Sequence, residues 1–345
     1  MTAAVASVRG APRQRGALLS AVTPIVAAIV VGGLAVAWSG ASPTEFFRLL
    51  VQEAFSGTDR LAATAASATP LIITGIATLI AFKAGVFNIG VEGSFIAGAF
   101  TAAIVGAALD LPGPLQIAVT MTAATAAGAA VGWGPGWLKA RLDVDEVVVT
   151  LMGNFVVAGV VGWLLSDYFL AQGTGNASSE MVAPQTRLPT LVDGTQLTVA
   201  FLAALALVPA THWWLTRSTL GYEVRMVGAN PRFARAQGID IARIVILAMV
   251  VSGALGGFAG STFTLGTLGR FIGGAGANLG FTGIAVALLG RLNPYGALVA
   301  AIGLGALAAA GPTVQLFIDV PLDVIRIMQG TIMIAAVIPI VRRST

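Results

Sequence analysis

The sequence has 345 residues, of which 57% are hydrophobic and only 10% are charged, and its formal net charge is +4. A soluble domain normally carries about a quarter of its residues as Asp, Glu, Lys and Arg, so this chain has too few charges to cover a water-exposed surface. This composition excludes a soluble protein, and the lack of cysteine excludes a disulfide framework, a thiol nucleophile and a cysteine-based metal site.

Ten apolar segments are candidates for membrane spans, since a spanning helix needs about 20 mostly apolar residues. In chain order they are 17–38, 61–82, 86–108, 114–138, 146–170, 196–216, 243–264, 280–290, 294–311 and 321–341. We therefore predict an all-α integral membrane protein, with 1–345 forming one bundle of about ten transmembrane helices. Segment 280–290 is too short for a full crossing at 1.5 Å per residue, so it is either re-entrant or extended by the glycine-rich stretch before it.

The basic residues predict the orientation of the chain. With the N-terminus inside, all but five of the 19 basic residues fall in cytoplasmic connections or tails. Arg48, Arg60, Arg187 and Arg270 fall outside, and Arg326 lies in the last span. The positive-inside rule expects this asymmetry. Both termini are therefore predicted to be cytoplasmic, with 1–16 as a cytoplasmic tail.

Three connections stand out between the predicted spans. Residues 43–57 form an external, partly amphipathic connection, and 171–195 form an irregular external loop that is rich in glycine and proline. Residues 217–243 form the only long cytoplasmic loop and carry five arginines. This basic loop is the natural place for a cytoplasmic partner to dock.

Glu92 is an acidic residue within an otherwise apolar segment, 86–100. Burying a carboxylate in a membrane is costly, so such a residue suggests a functional site. Three glycines and Asn88 lie within 85–93 and should interrupt the helix, which membrane proteins tolerate where the backbone faces protein or a watery cavity. The alternative interpretation is that Glu92 only neutralises the dipole at the N-terminus of its helix, near the cytoplasmic interface.

Small residues recur at helical spacing in two of the predicted spans. They are Gly128, Gly132 and Gly136 in one span and Gly253, Gly256, Gly257 and Gly260 in another. This spacing lets helix backbones approach closely in lipid. We interpret these glycines as packing residues, and the alternative is that they line a permeation path.

The chain has no phosphate-binding loop of its own. Its only lysines, Lys83 and Lys139, are each followed by alanine, whereas a phosphate loop needs Gly-Lys-Ser/Thr. We therefore predict a transport subunit rather than an enzyme. Any ATP-driven role requires a separate motor subunit, which would bind the ATP and Mg²⁺, and we predict no cofactor in this chain.

Four blocks of sequence resemble the branched-chain amino acid and simple sugar permease superfamily of ABC importers. They are Ala81 to Gly93 (AFKAGVFNIGVEG), Asp145-Glu146-Val147 with Thr150, Met152 and Asn154, Gly228-Ala229-Asn230-Pro231 through Ala236, Gly238 and Ile239, and Gly280 to Arg291 with Asn293-Pro294. The first block is most similar to the nucleoside branch, except that Ser94 stands where that branch has glutamine. The long N-terminal section and the proline-bearing outer loop look like the longer of two sister permeases.

The resemblance implies an importer in a bacterial cytoplasmic membrane. Its partners would be a second permease subunit, cytoplasmic ABC ATPases and an external binding lipoprotein that delivers a nucleoside, with no nucleic acid bound. The residues implied for the substrate path are Phe87, Asn88, Glu92, Ser94, Asn154 and Phe281. The two phenylalanines suit a stacked base, although aromatic rings also stack on sugars.

A short helix is predicted within the basic loop. Asn230-Pro231 is a typical helix start with asparagine as the cap, and Gly238 is a suitable end, so 231–237 would be helical. This helix would display Arg232, Phe233 and Arg235 to an ATPase, and the coupling residues are Asn230, Pro231, Arg232, Phe233, Arg235, Ala236 and Gly238. The alternative is a solvated basic loop that only follows the positive-inside rule.

Two other functions remain open from the sequence. The same architecture could carry a simple sugar or a branched-chain amino acid. A different class of protein, a secondary transporter in which Glu92 carries a proton, is disfavoured because no second carboxylate is as deeply embedded in a predicted span.

Overall fold

The computed structural model describes residues 12–173, 175–318 and 320–344. Within these ranges the chain is helical apart from its connections, and extended pairing is limited to two isolated bridges, Ser178–Ile272 and Thr190–Thr198. Most of the predicted cytoplasmic tail, 1–16, lies outside the described residues. The predicted all-α class is confirmed for the part of the chain that the structure describes.

Thirteen α-helices are present in the described ranges. They are α1 Pro12–Trp38, α2 Pro43–Phe55, α3 Thr58–Lys83, α4 Val91–Ala108, α5 Gly113–Leu142, α6 Glu146–Tyr168, α7 Ala200–Arg217, α8 Thr219–Ala229, α9 Pro231–Ala236, α10 Ile241–Phe263, α11 Leu279–Leu289, α12 Pro294–Ile318 and α13 Leu322–Ser344. A 3₁₀ turn at Pro184–Thr186 and a π-helical turn at Thr264–Leu268 complete the regular structure.

Six helices are long and apolar enough to cross a membrane: α3, α4, α5, α6, α10 with its π turn, and α12. The pair α1–α2, which is bent by 119°, would make a seventh span if its two halves cross together. Each of the ten predicted segments coincides with a helix, but α11 has only 11 residues, or about 16 Å. Crossing by all ten segments stays a prediction.

Two of the predicted connections each contain a helix that the sequence did not predict. In 43–57, the apolar residues Phe46, Leu50 and Ala54 recur every fourth position, and α2 buries them against α1, α12 and α13. In 217–243, Gly221, Val224 and Val227 recur every third position and form the buried face of α8. Charged residues flank both of these narrow apolar stripes, so hydropathy did not indicate either helix.

Helix α3 forms the centre of the bundle and packs against α10, α11 and α12, while α4, α5 and α10 pack against one another. Most of the glycines that recur at helical spacing allow the backbones of α5 and α10 to touch, and Gly256 and Gly260 lie against α4 instead. A Cβ atom on Gly128 would lie 2.6 Å from the Gly257 nitrogen, and one on Gly253 would lie 3.0 Å from the Gly132 Cα. The interpretation of these glycines as packing residues is confirmed.

Helix α6 lies at the edge of the bundle, against α4 and α5. Only Thr150, Asn154, Val161 and Leu165 of this helix are buried. Its opposite face exposes large apolar side chains: Val148, Met152, Phe155, Val156, Val160 and Trp163. In a membrane protein such a face contacts either lipid or another membrane subunit.

Candidate functional site

The first break in the helices lies between α3 and α4, where the chain is not helical from 84 to 90. Gly85, at φ +77°, ends α3, and the Val86 N–H donates to the Ala81 carbonyl at 3.1 Å. Helix α4 then begins at Val91. The glycine-rich stretch therefore interrupts the helix as predicted, and the predicted span at 86–108 begins five residues late.

Asn88 ties this break to the neighbouring helix α10. Its side-chain Nδ2 donates to the Ser252 hydroxyl at 2.8 Å, and its Oδ1 accepts the Gly90 N–H at 2.9 Å. The Asn88 side chain is 1% exposed. Both halves of this amide are therefore bound within the protein.

Helix α6 satisfies the backbone of the same break from the other side. Asn154 Oδ1 accepts the Gly93 N–H at 2.8 Å, and its Nδ2 donates to the Ile89 carbonyl at 3.1 Å. The Ile89 N–H donates to the Thr150 hydroxyl at 3.3 Å. Irregular backbone within a membrane is stable only when its polar groups are bonded internally, and these side chains make those bonds.

The second break follows the π turn and precedes α11. It contains Gly269, Gly274, Gly276 and Asn278, all at positive φ. Helix α11 has no side-chain cap from its own N-terminal residues. Its first N–H groups are bound by Glu92 of α4 instead: Asn278 N donates to Oε1 at 2.8 Å, Gly280 N to Oε2 at 2.8 Å and Phe281 N to Oε2 at 3.4 Å.

Glu92 therefore lies between the N-terminal ends of two helices. It is in the first turn of α4, its carboxylate caps α11, and its residue is 4% exposed. No ion pair found among the described residues involves it. Each helix N-terminus carries about half a positive charge, so the two ends together balance one carboxylate. The sequence predicted a dipole-capping role only for Glu92's own helix, and the capped helix is 186 residues further along the chain.

A cavity of about 470 Å³ opens between α5 and α6, beside the first break. Its walls are mostly apolar, and the polar side chains that line it are Asn88, Thr150 and Asn154. Each of these three is hydrogen-bonded within the protein. The walls that this chain supplies therefore offer shape and apolar contact.

The turn between α5 and α6 joins the two helices that flank this cavity. Asp145 caps α6 by accepting the N–H groups of Val147 and Val148, and Lys139 pairs with Asp143 at 2.9 Å and Glu146 at 3.1 Å. The Asp145-Glu146 pair that carries the family resemblance thus has a local structural function: it caps α6 and links it to α5.

The other residues predicted for the path lie apart from the cavity lining. Phe87 is 53% exposed and packs against Phe82 of α3, with ring centroids 4.8 Å apart. Ser94 is fully buried against Gly256, and its hydroxyl has no hydrogen-bond partner among the described residues. Phe281 lies in the first turn of α11. Their contact with a substrate stays a prediction.

Sequence reasoning missed two partners of the predicted residues, Ser252 and Asn278. Ser252 was detectable as an isolated hydroxyl in the apolar run of α10, and Asn278 as the polar residue that ends a glycine-rich stretch. Neither signal identifies a partner, because both partners lie more than 160 residues away in the chain.

The predicted short helix in the basic loop is present as α9. Asn230 Oδ1 accepts the Phe233 N–H at 3.1 Å, Pro231 is the first helical residue, and Gly238 follows the helix at φ +80°. The helix ends at Ala236, one residue before the predicted end. Ala234 is buried, and all seven predicted coupling residues are exposed.

Apolar spans with two broken helices that meet inside the bundle are typical of membrane transport proteins, and this is the class that the fold and the site define. Residues 60–337 match the family model described as "Branched-chain amino acid transport system / permease component". The chain belongs to this permease family.

Several curated permeases are similar to this chain over most of its length. The guanosine ABC transporter permease protein NupP of Bacillus subtilis is 32% identical over 92% of both chains. The glucose ABC transporter permease protein TsgB13 of Haloferax volcanii is 31% identical over 91% of this chain and 85% of its own. Bacillus subtilis has a second similar protein, the guanosine ABC transporter permease protein NupQ, which is 27% identical over 75% of this chain and 84% of its own.

Proposed function

We propose that this chain is a permease subunit of an ATP-driven importer and that its cargo is a nucleoside. The observation that carries the proposal is the similarity to a guanosine ABC permease along 92% of both chains. The FNIG run and the following Glu92, which resemble the nucleoside branch, lie at the first helix break. A second candidate cargo is glucose, because a glucose permease is nearly as similar.

The translocation path would form between this chain and a sister permease, with both chains crossing a bacterial cytoplasmic membrane. The pair NupP and NupQ in one organism supports two different permeases in one system. The exposed apolar face of α6 and the cavity beside it are suited to a second membrane subunit. Because the polar groups of the cavity are bonded internally, the sister chain would supply the groups that recognise a polar cargo.

The energy would come from separate ATPase subunits, which bind the ATP and Mg²⁺. Helix α9 supports this assignment because it presents Phe233, 46% exposed, between the exposed Arg232 and Arg235. An exposed aromatic ring flanked by cationic side chains suits an apolar groove with an acidic rim. The polar groove beside α9, lined by Arg217, Tyr222, Glu223, Arg225 and Gln237 among others, extends this docking surface.

The geometry of Glu92 makes a proton-coupled mechanism the weaker alternative. Both carboxylate oxygens accept backbone N–H groups at the start of α11, so protonation would remove part of the cap from a buried helix end. A proton carrier needs a carboxylate that can gain and lose its proton without disrupting the fold.

The test is uptake by the chain co-expressed with its sister permease, ATPase and binding lipoprotein, reconstituted in proteoliposomes. We expect uptake of radiolabelled guanosine or another nucleoside that requires ATP and persists with a protonophore. Uptake of glucose that added nucleosides do not inhibit would favour the sugar alternative. Uptake that is abolished by the protonophore and independent of ATP would contradict the proposal.

A further inference from the structure

Two glycines bring α8 into direct backbone contact with the first helix break. A Cβ atom on Gly228, near the end of α8, would overlap the Lys83 carbonyl oxygen and lie 2.9 Å from the Gly85 nitrogen. A Cβ atom on Gly85 would lie 3.0 Å from the Gly228 Cα. The two backbones can touch only because neither residue has a side chain.

This contact belongs to a continuous packed unit. Val224 and Val227 on the inner face of α8 share one buried cluster with Ala84 and Val86 at the break. Ala234, the buried residue of α9, lies in the same cluster. Helix α8 is therefore packed onto the chain at the point where α3 ends, and α9 packs against α8 and the start of α10.

The route from this contact to the cavity is short. Only Val86 and Phe87 separate Gly85 from Asn88, and Val86 is fixed by burial and by its hydrogen bond to Ala81. Asn88 lines the cavity and is tied to Ser252 of α10. A displacement of α9 that moves Gly85 would therefore also move Asn88 and the cavity wall, because the short backbone segment between them has few torsions free to absorb it.

We propose that the Gly85–Gly228 contact is a rigid joint that carries movement from α9 to Asn88, and that Gly228 is a positioning residue for transport. The inference rests on the proposed function for its source of movement, an ATPase docked on α9. The movement of α9 reaches Asn88 through this one backbone contact.

Gly228→Ala is the appropriate variant. Gly228 is helical and is not among the residues at positive φ, so alanine favours α8 itself and the added methyl acts on the joint. Both glycines are exposed, so the change avoids the core. Gly85→Ala would add backbone strain at φ +77°. The matched control is Gly303→Ala within α12, where an added Cβ meets no atom within 4 Å.

The first measurement is a distance within the full chain in lipid nanodiscs. Because the sequence has no cysteine, spin labels can be placed at Phe87→Cys and Arg232→Cys alone. We expect one narrow distance distribution for the parent and the Gly303→Ala control, and a broader or longer one for Gly228→Ala. If the distance distribution of Gly228→Ala superimposes on that of the parent, the Gly85–Gly228 contact is not a rigid joint.

The second measurement is ATP-driven uptake by the complete reconstituted transporter. We expect Gly228→Ala to lower the uptake rate by about tenfold or more, with the ATPase still bound and hydrolysing ATP, and Gly303→Ala to leave it unchanged. Normal uptake with Gly228→Ala would refute the proposal. If the parent complex shows no ATP-driven uptake, the proposed function fails, and the spin-label distances still decide whether the joint exists.

Discussion

At the scale of single residues, the buried polar side chains near the two breaks hold backbone that cannot be helical. Asn88, Glu92 and Asn154 each bond main-chain groups of 89–93 or 278–281. An unpaired backbone group in an apolar surrounding costs about 1–3 kcal/mol, so each of these side chains stabilises the fold. Their first effect is to stabilise the non-helical backbone at the two breaks, and contact with a cargo would be an additional function.

Glu92 gives a testable prediction at this scale. We expect Glu92→Ala to lower the thermal midpoint of the purified chain clearly, because three N–H groups at the start of α11 lose their acceptor. Glu92→Gln should lower it less, because one side-chain oxygen can still accept. The measurement is thermal unfolding in detergent for both variants.

The pH profile of uptake separates capping from proton carriage. For a capping residue, the Glu92→Gln variant should keep the pH profile of the parent at a reduced rate. Equal stability of the Ala and Gln variants, or a pH dependence lost with glutamine, would contradict the capping role.

At the scale of the elements, helices α8 and α9 form a small docking unit between the end of α7 and the start of α10, against the end of α3. Helix α9 has only six residues and would be unstable alone in water. The Asn230 cap, the buried Ala234 and the Gly238 end hold it in place. Its exposed face is therefore fixed before any partner binds.

Phe233→Asp tests this docking unit. A carboxylate in place of the ring should prevent docking on an apolar groove and repel an acidic rim, so we expect ATP-driven uptake to be lost. The ATPase should be recovered poorly in detergent pull-downs, while the permease still inserts. Phe55→Asp is the matched control, because Phe55 of α2 is equally exposed, at 46%. Full uptake and normal ATPase recovery with Phe233→Asp would argue against docking at α9.

At the scale of the whole molecule, the distribution of basic residues predicts that 171–195 and 217–243 lie on opposite sides of the membrane. Within 171–195, Asp193 is exposed, whereas Ser178 is buried at the bridge to Ile272. Asp193 is therefore the better position for a topology reporter on the outer side, and the exposed Ala236 is suitable on the inner side.

Cysteine labelling checks this orientation without background reaction, because the natural chain has no cysteine. We expect an impermeant thiol reagent to label Asp193→Cys in intact cells and to label Ala236→Cys only after the membrane is opened. The reverse pattern would invert the topology, and labelling of both positions in sealed cells would reject the assignment of sides.

The sequence alone determined the membrane class, the positions of the ten helical segments, the first break and the α9 cap. These features depend on composition and on residues within a few positions of each other, which hydropathy and turn chemistry express directly. Helix α8 escaped sequence reasoning because its buried stripe is narrow and interrupted by charge.

Only the tertiary structure decided which groups those residues bind. Glu92 caps α11, Asn88 is bonded to Ser252 and Gly228 touches Gly85, and each pair is more than 140 positions apart in the chain. Burial forces every polar backbone group to find a partner, but several helices could supply it. The choice follows from the packing of α3, α4, α10 and α11 around one centre, which local sequence does not encode.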